Sequence, residues 1–306
     1  MKEANSLFSF LYAALLSEKT KKRAEIFFVS LAIISFLLHL AIIALVDLKI
    51  ILINDYSKLL SNPISAIYTP FSFILIYEVY LLVYYLPKST TIYIGKQYEI
   101  ITLIIIRRIF KDLSKLELNA NWFDSKANVN FTLDIVATII LFFLIYIFYN
   151  LNKKNEINQS KLQKTLELNS FIKLKNIFAI GLIPVFLVLS VYSLAHWIYE
   201  SFFSITQIVV KIKDINKIFF ADFFTILILI EVLLLLFSFF LSDKFNRVIR
   251  NSGFIISTIL IKLSFGTEGI LNAILIVAAV LFGVIILAIH NKYETLEVKS
   301  VSTLES

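Results

Sequence analysis

The chain has 306 residues, 59% of them hydrophobic and 17% charged, with a mean hydropathy of +0.85. That balance excludes a soluble globular protein of this length, and the absence of cysteine excludes disulfides, thiol nucleophiles, iron–sulfur clusters and thiolate zinc sites. The formal charge of +7 is read as basic residues gathered on the cytoplasmic side of a membrane rather than as a nucleic-acid surface, because no nucleic-acid motif accompanies it.

Residues 5–16, NSLFSFLYAALL, read as a short amphipathic segment along the inner membrane face, within a cytoplasmic stretch 1–25. KTKKR at 19–23 precedes an apolar run too long for a signal-peptide core and without a small-x-small cleavage site, so this end is expected to be retained. Membrane segments are predicted at roughly 26–47, 66–86, 91–110, 131–150, 177–199, 223–241, 250–266 and 270–290. The third and seventh carry cations and a polar start. Residues 48–63 and 203–219 read as interfacial amphipathic helices, and 111–128 and 151–176 as polar connectors. A short polar tail follows His290. With eight crossings and both termini inside, the cytoplasmic stretches hold the greater share of the 29 Lys and Arg residues.

FSFILIYEVYLLVYY, from Phe71, and FTILILIEVLLLLFS, from Phe224, place Glu78 and Glu231 at corresponding positions 153 residues apart. Phe71, Val79, Leu81 and Leu82 match Phe224, Val232, Leu234 and Leu235. IITLIIIRRIF from Ile100 aligns with IISTILIKLSF from Ile255, setting Arg107 opposite Lys262 and Phe110 opposite Phe265. An ancestral duplication is expected. The fold class is therefore an all-α, polytopic transmembrane bundle of about eight crossings. It is built as two tandem parallel four-helix repeats, 26–150 and 177–291, with a basic cytoplasmic linker 151–176 between them and a tail 292–306.

A carboxylate at mid-bilayer costs roughly 2.5–3.5 kcal/mol on insertion scales, so it seeks a partner. In a helical hairpin, residues equidistant from the turn share a depth. The midpoint between Glu78 and Arg107 falls inside PKSTTIYIGK, and that between Glu231 and Lys262 inside SDKFNRVIRN. About twelve residues from each turn reach roughly 18 Å into the membrane. Each glutamate is thus expected to face a cation. Two uses remain open: a buried ion pair that fixes helix register, or a pathway for an ion, a proton or a small charged solute.

Other polar residues are weighed in the same way. Lys96 and Glu99 are expected to form an i,i+3 pair. Arg108 is expected to snorkel toward the outer headgroups. Asp134, with Thr138 on the same face, is read as starting a helix and favouring its dipole, or as part of a pathway, with Asn272 as its counterpart. His39 is read as a hydrogen-bonded packing residue or a proton relay. His196 suits an outer aromatic belt and His290 the inner end of the last helix. Tyr77, Tyr80, Tyr84 and Tyr85 suit either a wet crevice or bonds to other helices.

No P-loop lysine motif, HExxH, GxSxG or nucleophile-plus-base cluster is present, so no enzyme is expected, and neither a cofactor nor a metal is called for. The expected function is transport of an ion, a proton or a small charged solute at the interface of two repeats in the cell membrane. The pathway candidates are Glu78, Glu231, Arg107, Lys262, Asp134 and His39. The expected partners are the lipid bilayer and that ion or solute, and a homo-oligomer is compatible with the sequence. The alternative is a membrane anchor, scaffold or signalling subunit that docks a cytoplasmic protein.

Overall fold

The computed structural model describes residues 10–50, 63–113, 116, 121–159, 166–202, 215–241 and 245–304. The expected interfacial helices at 48–63 and 203–219 lie largely outside the described residues. So do the start of the N-terminal segment, parts of the connectors and the side chain of His196.

Among the described residues every regular element is helical, and the chain order is eight long helices with two 3₁₀ turns. These are α1 (Glu18–Asp47), a turn at Pro63–Ile67, α2 (Tyr68–Tyr85), α3 (Thr90–Leu113), a turn at Trp122–Asp124, α4 (Lys126–Gln159), α5 (Leu166–Phe202), α6 (Ile215–Leu241), α7 (Phe245–Ser264) and α8 (Gly269–Leu304). Each overlaps one of the eight predicted segments, with 66–86 overrunning α2 at both ends and 250–266 running two residues past α7. Among the described residues five stretches are long and apolar enough to cross a membrane: Phe10–Asp47, Lys126–Lys153, Phe171–Tyr192, Phe220–Phe239 and Gly269–Leu296. In α2 the apolar helix Thr69–Tyr85 is shorter, and α3 and α7 carry the charges that weakened them as sequence.

Local chemistry sets the boundaries. Ser17 caps α1, its hydroxyl accepting from the Thr20 amide at 3.2 Å, and Glu18 sits in the first turn where the helix dipole favours an acid. Pro70 falls in the first turn of α2, where a missing N–H costs little. Pro87 follows its end and disfavours helical backbone at Leu86. Between α7 and α8, Gly269 takes a φ of 62° that a side chain would resist, and Asn272 Nδ2 donates to the Ser264 carbonyl at 2.5 Å. Asn272 therefore satisfies the carbonyl at the C-terminal end of α7.

Burial runs opposite to a soluble protein. Ile26, Phe27, Leu37 and Leu38 of α1 and Ile139, Phe142, Phe143 and Tyr146 of α4 are exposed, whereas Glu78, Gln97, Arg107, Asp134, Lys175 and Glu231 are buried. Apolar faces turned outward over ionisable groups turned inward suggest a membrane location.

The chain forms two compact units, each drawing on both halves of the sequence. One comprises Met1–Tyr84, Leu103–Ile135 and Ala179–Phe219; the other comprises Tyr85–Thr102, Val136–Phe178 and Phe220–Ser306. In the first, α1 buries Ala32, His39, Ile43 and Val46, spaced as one helical face. In the second, α7 buries Phe254, Ser257, Thr258, Ile261 and Ser264 at the same periodicity. A methyl on Gly283 of α8 would overlap the Tyr98 hydroxyl, so this glycine is what admits the tyrosine.

Candidate functional site

In the first unit Glu78 Oε2 accepts from Arg107 Nη2 at 2.5 Å, with the two side chains 3% and 4% exposed. The pairing expected from hairpin geometry is formed. The guanidinium also lies 5.9 Å from the Phe71 ring centroid, and Phe71 stacks on Phe110 with centroids 5.5 Å apart. Among the described residues, Arg107 Nε and Nη1 find no acceptor.

Arg108 does not snorkel. Its Nε and Nη2 each donate at 2.5 Å to the two oxygens of Asp134, a planar fork that a lysine could not make. Asp134 lies in the third turn of α4 rather than at its start, so a dipole role gives way to an ion pair. His39 is buried, and its Nδ1 shares a hydrogen bond of 2.5 Å with Thr69 Oγ1. The tyrosines of α2 reach other segments: Tyr80 donates to the Leu15 carbonyl at 3.0 Å and Tyr84 to Glu18 at 2.5 Å.

The second unit departs from expectation at its most polar point. Glu231 is 7% exposed, and its Oε1 accepts from Gln97 Nε2 at 2.5 Å instead of meeting Lys262. Lys262 lies one helical turn beyond Thr258 and two beyond buried Ile255, on the same side of α7. It is half-buried, yet among the described residues no ion pair joins it to Glu231, whose Oε1 is taken by Gln97. The Gln97 amide oxygen in turn accepts from Thr258 Oγ1 at 2.9 Å. A neutral amide therefore stands where a cation was expected.

Around this contact Thr90, Tyr93 and Gln97 follow one another at i, i+3 and i+7 on one face of α3. Tyr93, Thr90, Lys175 and Asn251 join Glu231 in lining a cavity of about 30 Å³. Lys175 is buried, donating at 3.2 Å to the Lys88 carbonyl and at 3.3 Å to Thr90 Oγ1, and its field reaches Glu231. Among the described residues, Glu231 Oε2 and the Tyr93 hydroxyl are buried without a hydrogen-bond partner. Unpaired buried oxygens of this kind cost about 1–3 kcal/mol each unless something unseen completes them.

Nearby groups are satisfied. Tyr98 and Ser257 share a bond of 2.8 Å, and Ser257 passes its proton to the Ala279 carbonyl at 2.7 Å. Glu99 accepts from Lys96 at 2.7 Å, as expected, and also from Tyr149 at 2.5 Å. His290 is buried between Asn246 at 2.7 Å and Arg250 at 3.1 Å.

Sequence reasoning missed Tyr93, Gln97, Thr258 and Lys175. Tyr93 falls within the turn sequence PKSTTIYIGK and Gln97 just after it, both at the start of the third predicted segment, and Lys175 falls at the edge of the linker. The spacing of Thr90, Tyr93 and Gln97 is the signal that marks the first two as one inward face. Among the described residues no group of His, Cys, Asp or Glu is arranged to hold a metal ion. No protein-family model, curated protein or solved structure matches the chain.

Proposed function

We propose that the chain is a multi-pass protein of the cell membrane, with both termini cytoplasmic, that carries an ion or a small charged solute through the Glu231 cluster. The observation that carries this reading is the state of the Glu231 carboxylate. It is buried on a helix long and apolar enough to cross a membrane, held by a neutral amide, with one oxygen unspent at a largely apolar cavity that Thr90, Tyr93, Lys175 and Asn251 also line. A carboxylate kept solely for register would be closed by a cation, as Glu78 is.

The duplicated architecture belongs to the same proposal. Phe71 and Phe110 correspond in sequence to Phe224 and Phe265, and the second pair also has its centroids 5.5 Å apart. Two aligned aromatic pairs packed at one spacing support descent from a common helical unit. Gln97 and Tyr93 come from the first repeat, Lys175 from the linker, and Glu231 and Thr258 from the second. The charged pair has diverged between repeats. Arg107 closes Glu78, whereas Lys262 has left Glu231 open.

The anchoring or scaffolding alternative is favoured by one observation, the closure of Glu78–Arg107 and Arg108–Asp134 as buried ion pairs. Flux of protons and monovalent cations into vesicles reconstituted with the purified chain separates the two. Transport predicts flux that Glu231→Gln abolishes while the protein stays folded, and scaffolding predicts the rate of empty vesicles for both proteins.

A further inference from the structure

We infer that Glu231, Tyr93 and Lys175 hold water between them and with it form a proton-exchange site, so that the ion handled here is the proton. This inference rests on the transport reading and narrows it.

The hydrogen-bond inventory points to the occupant. The Tyr93 hydroxyl lies close enough to Glu231 and Gln97 to interact with both, yet neither it nor Glu231 Oε2 makes a hydrogen bond of full geometry among the described residues. Lys175 spends two of its three N–H groups, on the Lys88 carbonyl and Thr90. All three residues line the same cavity of about 30 Å³, above the roughly 10–15 Å³ that a buried water needs. A water there accepts from Lys175, donates to Glu231 Oε2 and bonds the Tyr93 hydroxyl, which gives it the two to four partners that a buried water needs. One molecule completes every unspent group.

The same inventory argues against other small ligands. A hard metal cation requires six or more oxygens, whereas this cavity offers few and already contains an ammonium group. An inorganic anion would meet the Glu231 carboxylate. A proton needs only an acid, a base and a bridge. In the exchange, the water's O–H bond breaks as Glu231 Oε2 takes that proton. A Lys175 N–H bond breaks to restore the water, leaving a neutral acid and a neutral amine. Hydronium from the bulk at the α2–α3 turn, where Lys175 already bonds the Lys88 carbonyl, protonates the neutral amine and becomes water, so the net change is one bulk proton taken up onto Glu231.

The groups facing this site are Tyr93, Gln97 and Tyr98 from α3, Thr258, Asn251 and Arg250 from α7, and Lys175 from α5. Gln97 and Thr258 are neutral and orient Glu231 Oε1, which leaves Oε2 to the water.

The test is infrared difference spectroscopy of the purified full-length protein across a pH step, in ordinary and in heavy-oxygen water, beside proton, sodium and potassium flux in vesicles. The expected spectrum has a carboxylic C=O band that vanishes in Glu231→Gln and shifts in both Tyr93→Phe and Lys175→Met. It also has an internal water O–H band displaced by the heavy isotope, a readout that needs no variant. A carboxylic band unmoved by Tyr93→Phe and Lys175→Met, or no isotope-sensitive water, overturns the inference. Glu231-dependent flux of sodium or potassium without protons overturns it while leaving the transport reading standing. The expected spectrum without flux of any ion retains the proton site and removes transport.

Discussion

Gln97 reaches across from α3 and donates an amide N–H to the Glu231 carboxylate at 2.5 Å, so the acid of α6 is held by a neutral residue of α3. Thr258 donates to the other end of the same amide. The side chain is thereby fixed in one orientation, with its nitrogen toward the acid. Gln97→Leu removes both bonds and strands Glu231 Oε1 in a buried site. The expected loss is about 1–3 kcal/mol, read as a lower midpoint of thermal unfolding in detergent. Thr258→Val, which strands only the amide oxygen, is expected to cost less.

Glu78 and Arg107 make the contrasting case, a pair closed on itself. Arg107→Met leaves a buried carboxylate without its cation and is expected to destabilise by about 3–5 kcal/mol. Replacing both groups, Glu78→Leu with Arg107→Met, is expected to restore most of that stability, because the desolvation of two charges disappears with them. Unfolding of the two single variants and the double variant checks this. A double variant as unstable as the singles would mean the ion pair itself stabilises the fold.

Gly283 is a packing test independent of charge. A methyl there would overlap the Tyr98 hydroxyl, and Tyr98 is anchored through Ser257 to the Ala279 carbonyl. Gly283→Ala is expected to cost about 1–3 kcal/mol by overpacking. Adding Tyr98→Phe removes the clashing oxygen and is expected to recover part of the loss, so a double-mutant cycle measured by unfolding returns a coupling above about 0.5 kcal/mol.

These contrasts show what the sequence disclosed. Helix positions were legible because long apolar runs broken by polar clusters admit few other readings. The Glu78–Arg107 contact was legible because a hairpin turns sequence symmetry into depth. The same argument failed for Glu231 and Lys262. Equal depth does not decide which neighbour a carboxylate takes: Gln97 occupies Glu231, although Lys262 lies one turn beyond Thr258 on the same side of α7. Arg108–Asp134 was missed because an arginine near a helix end was matched to headgroups rather than to the following helix. Gln97 and Tyr93 were passed over because the search ranked formal charges. An amide and a phenol do not stand out in a turn-flanking segment until their common face is drawn.

The decisive comparison reconstitutes wild type, Glu231→Gln and the Glu78→Leu/Arg107→Met double variant in identical vesicles and measures proton uptake under an imposed pH gradient. If Glu231 is the working carboxylate and Glu78 a register pin, uptake collapses in the first variant and persists in the second. Equal loss in both, or uptake untouched in a folded Glu231→Gln protein, would contradict it.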